Sequence, residues 1–144
     1  MLRISKMTDY AIRVMVELSR QGEILSAQAL AERVGVETPT ASKVLKLLAG
    51  KGLLESYRGA SGGYRVKRGA EEISVAEVIE AIEGPVAITE CSDEAGHCDL
   101  ESNCGLQGNW QRISREVNRA LRGVTLAEMA SPAAGRGPLD LRTL

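Results

Sequence analysis

The chain has 144 residues, 44% of them hydrophobic and 26% charged, which sets the limit at one domain or a small domain with an appendage. It contains no run of eighteen uncharged apolar residues and no apolar leader near its start, so we expect a soluble, cytoplasmic protein with no membrane partner. Its net charge of −1 conceals a division, because residues 1–68 carry net +6 and residues 69–144 carry −7, and a basic half of this kind favours a phosphate-binding surface.

The first predicted element is an amphipathic helix near the N-terminus. Thr8 is a suitable N-cap for a helix of about a dozen residues. Ala11, Met15 and Leu18 recur at helical spacing and predict its inner face. Further apolar residues widen this face, so we expect the helix to be substantially buried.

Two shorter helices follow, and their end signals predict a helix-turn-helix. Ser26 is a suitable cap for a second helix that stops at Gly35, and Pro39 lies in the first turn of a third. Two short helices joined by a tight turn containing Gly are typical of this motif. The residues predicted to face inward from the third helix are Ala41, Val44, Leu45 and Leu48.

Residues 53–68 have the pattern of two short strands around a glycine-rich tip, which predicts a β-hairpin wing. Three helices and a wing make a winged helix. Short polar side chains can read base edges, lysines mostly hold phosphate, and glycines let a wing backbone approach DNA closely. The candidate DNA-binding residues are Thr40, Ser42, Lys43, Lys46, Arg58, Ser61, Gly62, Gly63 and Arg65. A winged helix that binds protein instead of DNA is the alternative.

The acidic half begins with a further helix, because Ser74 and Glu77 have the spacing of a capping box and Gly84 can end the helix. Thr125 and Glu128 repeat that spacing and predict a last short helix. Beyond it, the tail over 132–144 is rich in Gly and Pro and lacks periodicity, so we expect it to be mobile.

A long apolar seam precedes the last short helix. Its members are spaced four, three, four and four apart, and they are Leu106, Trp110, Ile113, Val117 and Leu121. A seam of this length needs a partner, and the simplest partner is the same helix of a second subunit, since two-fold dimers are the commonest oligomers. Packing of the seam onto its own domain is the alternative.

The only three cysteines of the chain, Cys91, Cys98 and Cys104, lie in one polar segment. Thiolates confined to one loop can converge on a single metal or cluster, whereas cysteines used in packing are scattered among apolar positions. A secreted disulfide scaffold is disfavoured by the odd count. Zinc is disfavoured because gaps of six and five residues exceed those of structural zinc sites. A thiol sensor explains two cysteines more easily than three.

These elements predict a mostly α fold whose only sheet is the two-stranded wing. We expect a winged helix-turn-helix DNA-binding domain over 1–84 and a cysteine cluster-binding loop over 85–105. A dimerisation helix with a short C-terminal helix is expected over 106–131, followed by the flexible tail.

The stretches KMTDYAIRVMVEL, YRGASGGYRVKR, EVIEAIEGPVAITEC and CDLESNCGLQGNWQRI, in that order, resemble the IscR/NsrR/CymR family of winged-helix regulators. The resemblance covers nearly everything before Pro132, and within the family the chain looks most like the branch associated with the SUF iron-sulfur assembly operon. It implies a homodimeric repressor or dual regulator that holds one iron-sulfur cluster per subunit, either 2Fe-2S or 4Fe-4S.

The same resemblance identifies candidate ligands. Cys91, Cys98 and Cys104 match the three cluster-ligating cysteines. IscR-like members have a ligating histidine three positions after the last cysteine, where this chain has Gln107. NsrR-like members use the aspartate of a Thr-Asp-Tyr motif from the other subunit, which corresponds here to Asp9. His97, an external ligand, or an ordinary first-turn role for the aspartate are the alternatives.

The resulting expectation is a DNA-binding transcriptional regulator, not an enzyme, with no small-molecule substrate. It would sense cluster status, oxidants or nitric oxide and control SUF cluster-assembly genes. The alternatives are a cluster-free thiol or zinc-based redox regulator and a protein-interaction module.

Overall fold

The computed structural model of the chain describes residues 3–92 and 105–131. In chain order, its elements are α1 (Lys6–Gln21), α2 (Ala27–Val34), α3 (Thr38–Gly50), β1 (Leu54–Tyr57), β2 (Gly63–Val66), α4 (Val75–Glu83), a 3₁₀ turn (Glu90–Ser92), α5 (Gln107–Arg122) and α6 (Leu126–Ala130).

Helix α1 starts earlier than the sequence analysis predicted. Its N-cap is Ser5, whose hydroxyl accepts a hydrogen bond from the Thr8 backbone N–H, and the helix has 16 residues. The assignment of Thr8 as the cap is therefore wrong. Thr8 is fully buried inside the first turn, in helical phase with Ala11 and Met15. The predicted inner face of α1 is confirmed, since it lies at the centre of the core.

The helix-turn-helix is confirmed. Ser26 caps α2 by accepting from the Ala29 N–H, and Gly35 ends it with a left-handed backbone at φ 72°. Pro39 occupies the first turn of α3, where no intrahelical N–H donor is required. The four residues predicted to face inward from α3 are all buried.

The wing is also confirmed, as an antiparallel hairpin with Leu54 opposite Val66 and Glu55 opposite Arg65. The edge of β2 away from β1 pairs with a third piece of extended backbone, which was not predicted from the sequence. Leu25 donates to the Tyr64 carbonyl at 3.0 Å and accepts from the Tyr64 N–H at 2.8 Å. These two hydrogen bonds fix the wing to the turn that precedes α2.

The two capping boxes form as predicted at Ser74 and Thr125. The segment that follows α5 returns to the N-terminal half, because Leu126 is fully buried in the same core as α1. The Arg20 guanidinium donates to the Ala130 carbonyl at 2.6 Å. Helix α6 therefore packs against α1.

The architecture is mostly helical with one two-stranded antiparallel sheet, and it confirms the predicted fold class. None of the helices in the described residues is long and apolar enough to cross a membrane.

Candidate functional site

Helix α3 presents a polar face on the side away from the core. Lys43 and Lys46 are exposed there, whereas Thr40 and Ser42 are half-buried nearer the start of the helix. This division follows from helical periodicity, because the inward positions of α3 lie three and four residues apart and leave the other face to polar groups. The arrangement puts two positive charges beside two hydroxyls that can donate or accept hydrogen bonds.

The tip of the wing adds a second polar surface, with Arg58 and Ser61 both exposed. Two glycines predicted to approach DNA have a structural function within the wing itself. A Cβ on Gly62 would lie 2.4 Å from the Tyr57 carbonyl oxygen, and one on Gly63 would lie 2.2 Å from the Leu25 carbonyl oxygen. Both glycines are therefore required by the close approach of backbone to backbone, whatever they do toward DNA.

Arg65, a third candidate DNA contact, is held by two neighbours on the outer face of the wing. Its Nη2 donates to the Tyr57 hydroxyl at 2.8 Å and to the Glu55 carboxylate at 3.4 Å. The Tyr57 hydroxyl in turn donates to Glu55 at 2.7 Å, and the Arg65 guanidinium carbon lies 5.4 Å from the centre of the Tyr57 ring. The hydrogen bond from Tyr57 is the main cause that lowers the pKa of Glu55, and the same bond raises the pKa of Tyr57.

Helix α5 carries an apolar face that the described residues of the chain leave uncovered. The side chains of Leu106, Trp110 and Ile113 are 57%, 36% and 41% exposed, although all three are large and hydrophobic. Val117 and Leu121, which continue the seam, are half-buried. The alternative in which the whole seam packs onto its own domain is therefore not what the described part of the chain shows.

A neighbouring face of α5 is tied to the segment that carries the first cysteine. Ser114 is only 5% exposed, and its hydroxyl donates to the Ser92 hydroxyl at 2.9 Å while accepting from the Ile88 N–H at 3.2 Å. Ser92 also accepts from the Thr89 N–H at 2.9 Å. These hydrogen bonds join the turn Glu90–Ser92 to the middle of α5. They were not predicted from the sequence.

The last turn of α5 is also joined to α4, because Arg122 forms an ion pair with Glu80 at 2.6 Å. Helix α5 is thus positioned against its own subunit by polar contacts at two places, while its apolar face stays open.

Asp9 lies on the exposed side of the first turn of α1. Its carboxylate forms an ion pair with the Nε of Arg13 at 3.1 Å, and more than half of each side chain is exposed. The preceding residue, Thr8, points inward and donates its hydroxyl to the Glu83 carboxylate at 2.5 Å. This hydrogen bond, followed by one from the Ser5 N–H, lowers the pKa of Glu83. The start of α1 is thereby fixed to the end of α4, with Asp9 facing outward.

Cys91 lies in the 3₁₀ turn Glu90–Ser92. The other two cysteines, Cys98 and Cys104, and the alternative ligand His97 lie outside the described residues. Within residues 3–92 and 105–131, no group of three or more His, Cys, Asp or Glu is arranged to hold a metal ion. Asp9 and Cys91 are therefore the two predicted ligands whose backbone positions the structure gives.

Comparison with known proteins is consistent with this arrangement. A model of the Rrf2 family, described as iron-dependent transcriptional regulators, matches residues 4–132. The regulator IscR of Serratia proteamaculans is 29% identical over 90% of this chain and 80% of its own length. The solved structure of CymR, the global cysteine regulator of B. subtilis, is 26% identical and has a TM-score of 0.69, covering 90% of this chain and 97% of that one. The structure of T. potens IscR is 26% identical with a TM-score of 0.66, covering 95% of this chain and 94% of that one.

These relatives regulate transcription and are not enzymes, which confirms both the resemblance seen in the sequence and the expectation that the protein is not a catalyst. The match extends over the helix-turn-helix, the wing and α5 together. The chain therefore belongs to the Rrf2 family of iron-dependent transcriptional regulators.

Proposed function

We propose that the protein is a cytoplasmic, homodimeric repressor whose affinity for its operator depends on an iron-sulfur cluster held by Cys91, Cys98 and Cys104, with SUF cluster-assembly genes as its targets. The observation that carries this proposal is the hydrogen-bonded connection from Ser92, next to the first cysteine, to Ser114 in the helix proposed for dimerisation. The T. potens and Serratia proteamaculans relatives named IscR support the assignment.

The contact with DNA is assigned to the polar face of α3 and the tip of the wing. In a winged helix of this type the second helix of the helix-turn-helix lies in the major groove, and the wing approaches an adjacent groove. The exposed Lys43 and Lys46 would hold phosphates, while Thr40 and Ser42 would reach base edges. The net +6 of residues 1–68 supplies the general attraction to the backbone.

Replacing Lys43 or Lys46 by Ala should weaken binding to all DNA sequences alike. Each lysine that holds a phosphate contributes about one unit to the dependence of log affinity on log salt concentration, so each variant should show a slope smaller by about one per subunit, or about two for the dimer. The measurement is fluorescence anisotropy of labelled duplexes over a series of salt concentrations.

Lys51, the exposed residue that follows the C-terminal end of α3, provides the matched control for this experiment. Lys51→Ala removes the same charge from just beyond the helix and should leave the slope unchanged. A slope that drops equally in all three variants would show that only the total charge matters and that neither lysine makes a phosphate contact.

The contact with the second subunit is assigned to the apolar face of α5. Exposed side chains as large as Trp110 and Ile113 at helical spacing are typical of a helix that packs on a partner. Pairing of α5 with its copy places two α3 helices on successive major grooves of the same duplex.

The chemistry of the proposed donors fits an iron-sulfur cluster. Cysteine thiolates are the usual ligands of such clusters, and Asp9, from the partner subunit, is the proposed fourth ligand because its carboxylate is exposed. Its ion pair with Arg13 is a surface contact of small energy, so the carboxylate can be released from it at little cost. When bound, the cluster would supply a reversible, oxidant- and nitric-oxide-sensitive link among the three cysteines.

The connection to DNA binding is assigned to the residues that surround Cys91. Ser92 follows it directly and binds Ser114, which is buried in α5. A change in the position of the turn Glu90–Ser92 would therefore be passed to α5 and to the spacing of the two α3 helices. A coupling of about 1 to 3 kcal/mol is sufficient, since it changes operator affinity about 5- to 150-fold.

Protein purified without oxygen should show a broad visible absorption band and contain acid-labile sulfide. Replacement of all three cysteines by Ser should remove both, and should change affinity for the wild-type operator about 5- to 150-fold. Wild-type protein stripped of iron by a chelator is the control, and it should match the triple variant. Unchanged operator affinity in the triple variant would contradict the proposed switch.

A second candidate function is a cluster-free thiol or zinc-based regulator. The likeness to CymR, named as a cysteine regulator, favours it, and Gln107 occupies the position of the histidine ligand expected from IscR-like members. Colourless protein with stoichiometric zinc, or with no metal and an operator affinity that depends on thiol oxidation, would support this candidate instead.

A further inference from the structure

The outer face of the wing carries an acidic side chain where a DNA-binding surface would be expected to be basic. Glu55 lies directly opposite Arg65 in the hairpin register. Strand residues two apart share a face, so Tyr57 lies on that face as well. Lys67, one residue beyond the end of β2, is close enough for its charge to lower the pKa of Glu55. Glu55 is thus an acid among the cations that the wing presents near its tip.

The three hydrogen-bonded side chains form a closed triangle, which we name the wing triad: Glu55, Tyr57 and Arg65. Each member contacts the other two, at 2.7, 2.8 and 3.4 Å. Because Arg65 also lies beside the Tyr57 ring, its guanidinium is held against the side chains of β1. In this state its nearest anion is Glu55.

The triad is held weakly enough to exchange partners. Both side chains of the ion pair are more than 40% exposed, at 45% for Arg65 and 42% for Glu55. Water screens such pairs, so their effect on an equilibrium is no more than about 5-fold. A phosphate offers Arg65 a bidentate, charge-assisted contact that is stronger than a single 3.4 Å contact to a carboxylate. Transfer of Arg65 from Glu55 to DNA is therefore favourable where a phosphate is held within reach.

We propose that Glu55 is a specificity-determining residue of the wing, which competes with DNA phosphate for Arg65. This inference rests on the proposed DNA-binding surface. On a random duplex the wing is not held in one place, and Arg65 stays with Glu55. On the operator, α3 fixes the wing beside the duplex and Arg65 is transferred to a phosphate. Glu55 thereby lowers non-specific affinity more than specific affinity.

The Tyr57 hydroxyl favours the charged form of this competitor. Its hydrogen bond to the carboxylate is the first cause of the lowered pKa of Glu55. After Arg65 leaves, Tyr57 can keep its hydrogen bond to Glu55, which preserves the acceptor to which Arg65 returns.

The test uses Glu55→Gln, which removes the charge and keeps both the size and a hydrogen-bond acceptor for Tyr57. The DNA probes are a site selected by the wild-type protein from a random library and a scrambled duplex of equal length. We expect affinity for the scrambled duplex to rise about 2- to 5-fold, with a salt slope steeper by about one per subunit, and affinity for the selected site to rise less. In an Arg65→Ala background the gain from Glu55→Gln should disappear.

Glu17→Gln is the matched control, because Glu17 pairs with Arg33 at the same 3.4 Å but lies on α1. It should leave the ratio of the two affinities unchanged. Equal gains on both duplexes, or a gain that persists without Arg65, would show a general charge effect and overturn the competition. Failure of the wild-type protein to select any DNA site would instead overturn the proposed function itself.

Discussion

Gly63→Ala should destabilise the protein by about 2 to 4 kcal/mol and detach the wing from the turn before α2. The added Cβ would lie 2.2 Å from the Leu25 carbonyl oxygen and 2.5 Å from its carbonyl carbon. Both are backbone atoms that no rotamer change can move. Strand β2 must therefore move away from the segment at Leu25, which breaks the two hydrogen bonds between Leu25 and Tyr64.

Urea unfolding followed by far-ultraviolet circular dichroism measures this loss. Gly59→Ala is the first control, because Gly59 has φ 105° but no atom within 4 Å of an added Cβ. It isolates the cost of the backbone conformation, about 1 kcal/mol. Gly50→Ala, at the end of α3 with open space and an ordinary φ, should have little effect. A loss for Gly63→Ala no larger than that for Gly59→Ala would contradict the close approach of the wing to Leu25.

The same variant separates two explanations for the wing glycines. If Gly63 matters mainly because DNA approaches it, Gly63→Ala should retain wild-type stability and lose only DNA affinity. The contact with Leu25 predicts that stability falls first and that weaker DNA binding follows from the displaced wing.

The helix-turn-helix and the wing could be predicted from the sequence because their signals are local. Each of these signals affects the backbone within one helical turn of its own position. The N-cap Ser26, the C-cap Gly35 and the first-turn Pro39 all occupy the positions that their residue types favour. The exception was Thr8. Ser5 and Thr8 are both short hydroxyl residues three apart, and only the burial of Thr8 in phase with Ala11 distinguishes the cap from the core.

The missed features are contacts between residues far apart in the chain. The bridge from Leu25 to Tyr64 and the hydrogen bond from Ser92 to Ser114 depend on how elements pack, and no spacing rule within one sequence specifies them. The wing triad is intermediate between a local signal and a contact between residues far apart in the chain. Once the five-residue loop over 58–62 is known, the register places Glu55 opposite Arg65, so strand pairing rules alone would have found the ion pair.

The candidate site was predicted by residue type more than by geometry. Lys43 and Lys46 are exposed as expected, because lysine side chains are rarely buried and the inward positions of the helix are apolar. Arg65 was predicted to contact DNA, and in the structure it is paired within the wing. Charge was visible in the sequence, but the partner of each charge was not.

Ile113→Glu should convert the proposed dimer into a folded monomer. Ile113 is 41% exposed in the single subunit, so a carboxylate there remains in water and costs the monomer little. In the α5 pair the same carboxylate would be buried near its copy, and an unpaired buried charge is strongly unfavourable. Analytical ultracentrifugation should therefore give half the wild-type mass, with unchanged helical content.

The effect on DNA binding should be larger than for any other variant considered. Two α3 helices held in one dimer bind a two-fold operator with an avidity about 100- to 10,000-fold above that of one helix-turn-helix, and Ile113→Glu removes that advantage without touching a DNA contact. Arg115→Glu, which puts a carboxylate on an exposed position of the same helix, should remain a dimer. Because the monomer keeps Lys43 and Lys46, its residual binding should retain about half of the wild-type salt slope. A dimeric Ile113→Glu protein with unchanged operator affinity would place the second subunit on another surface.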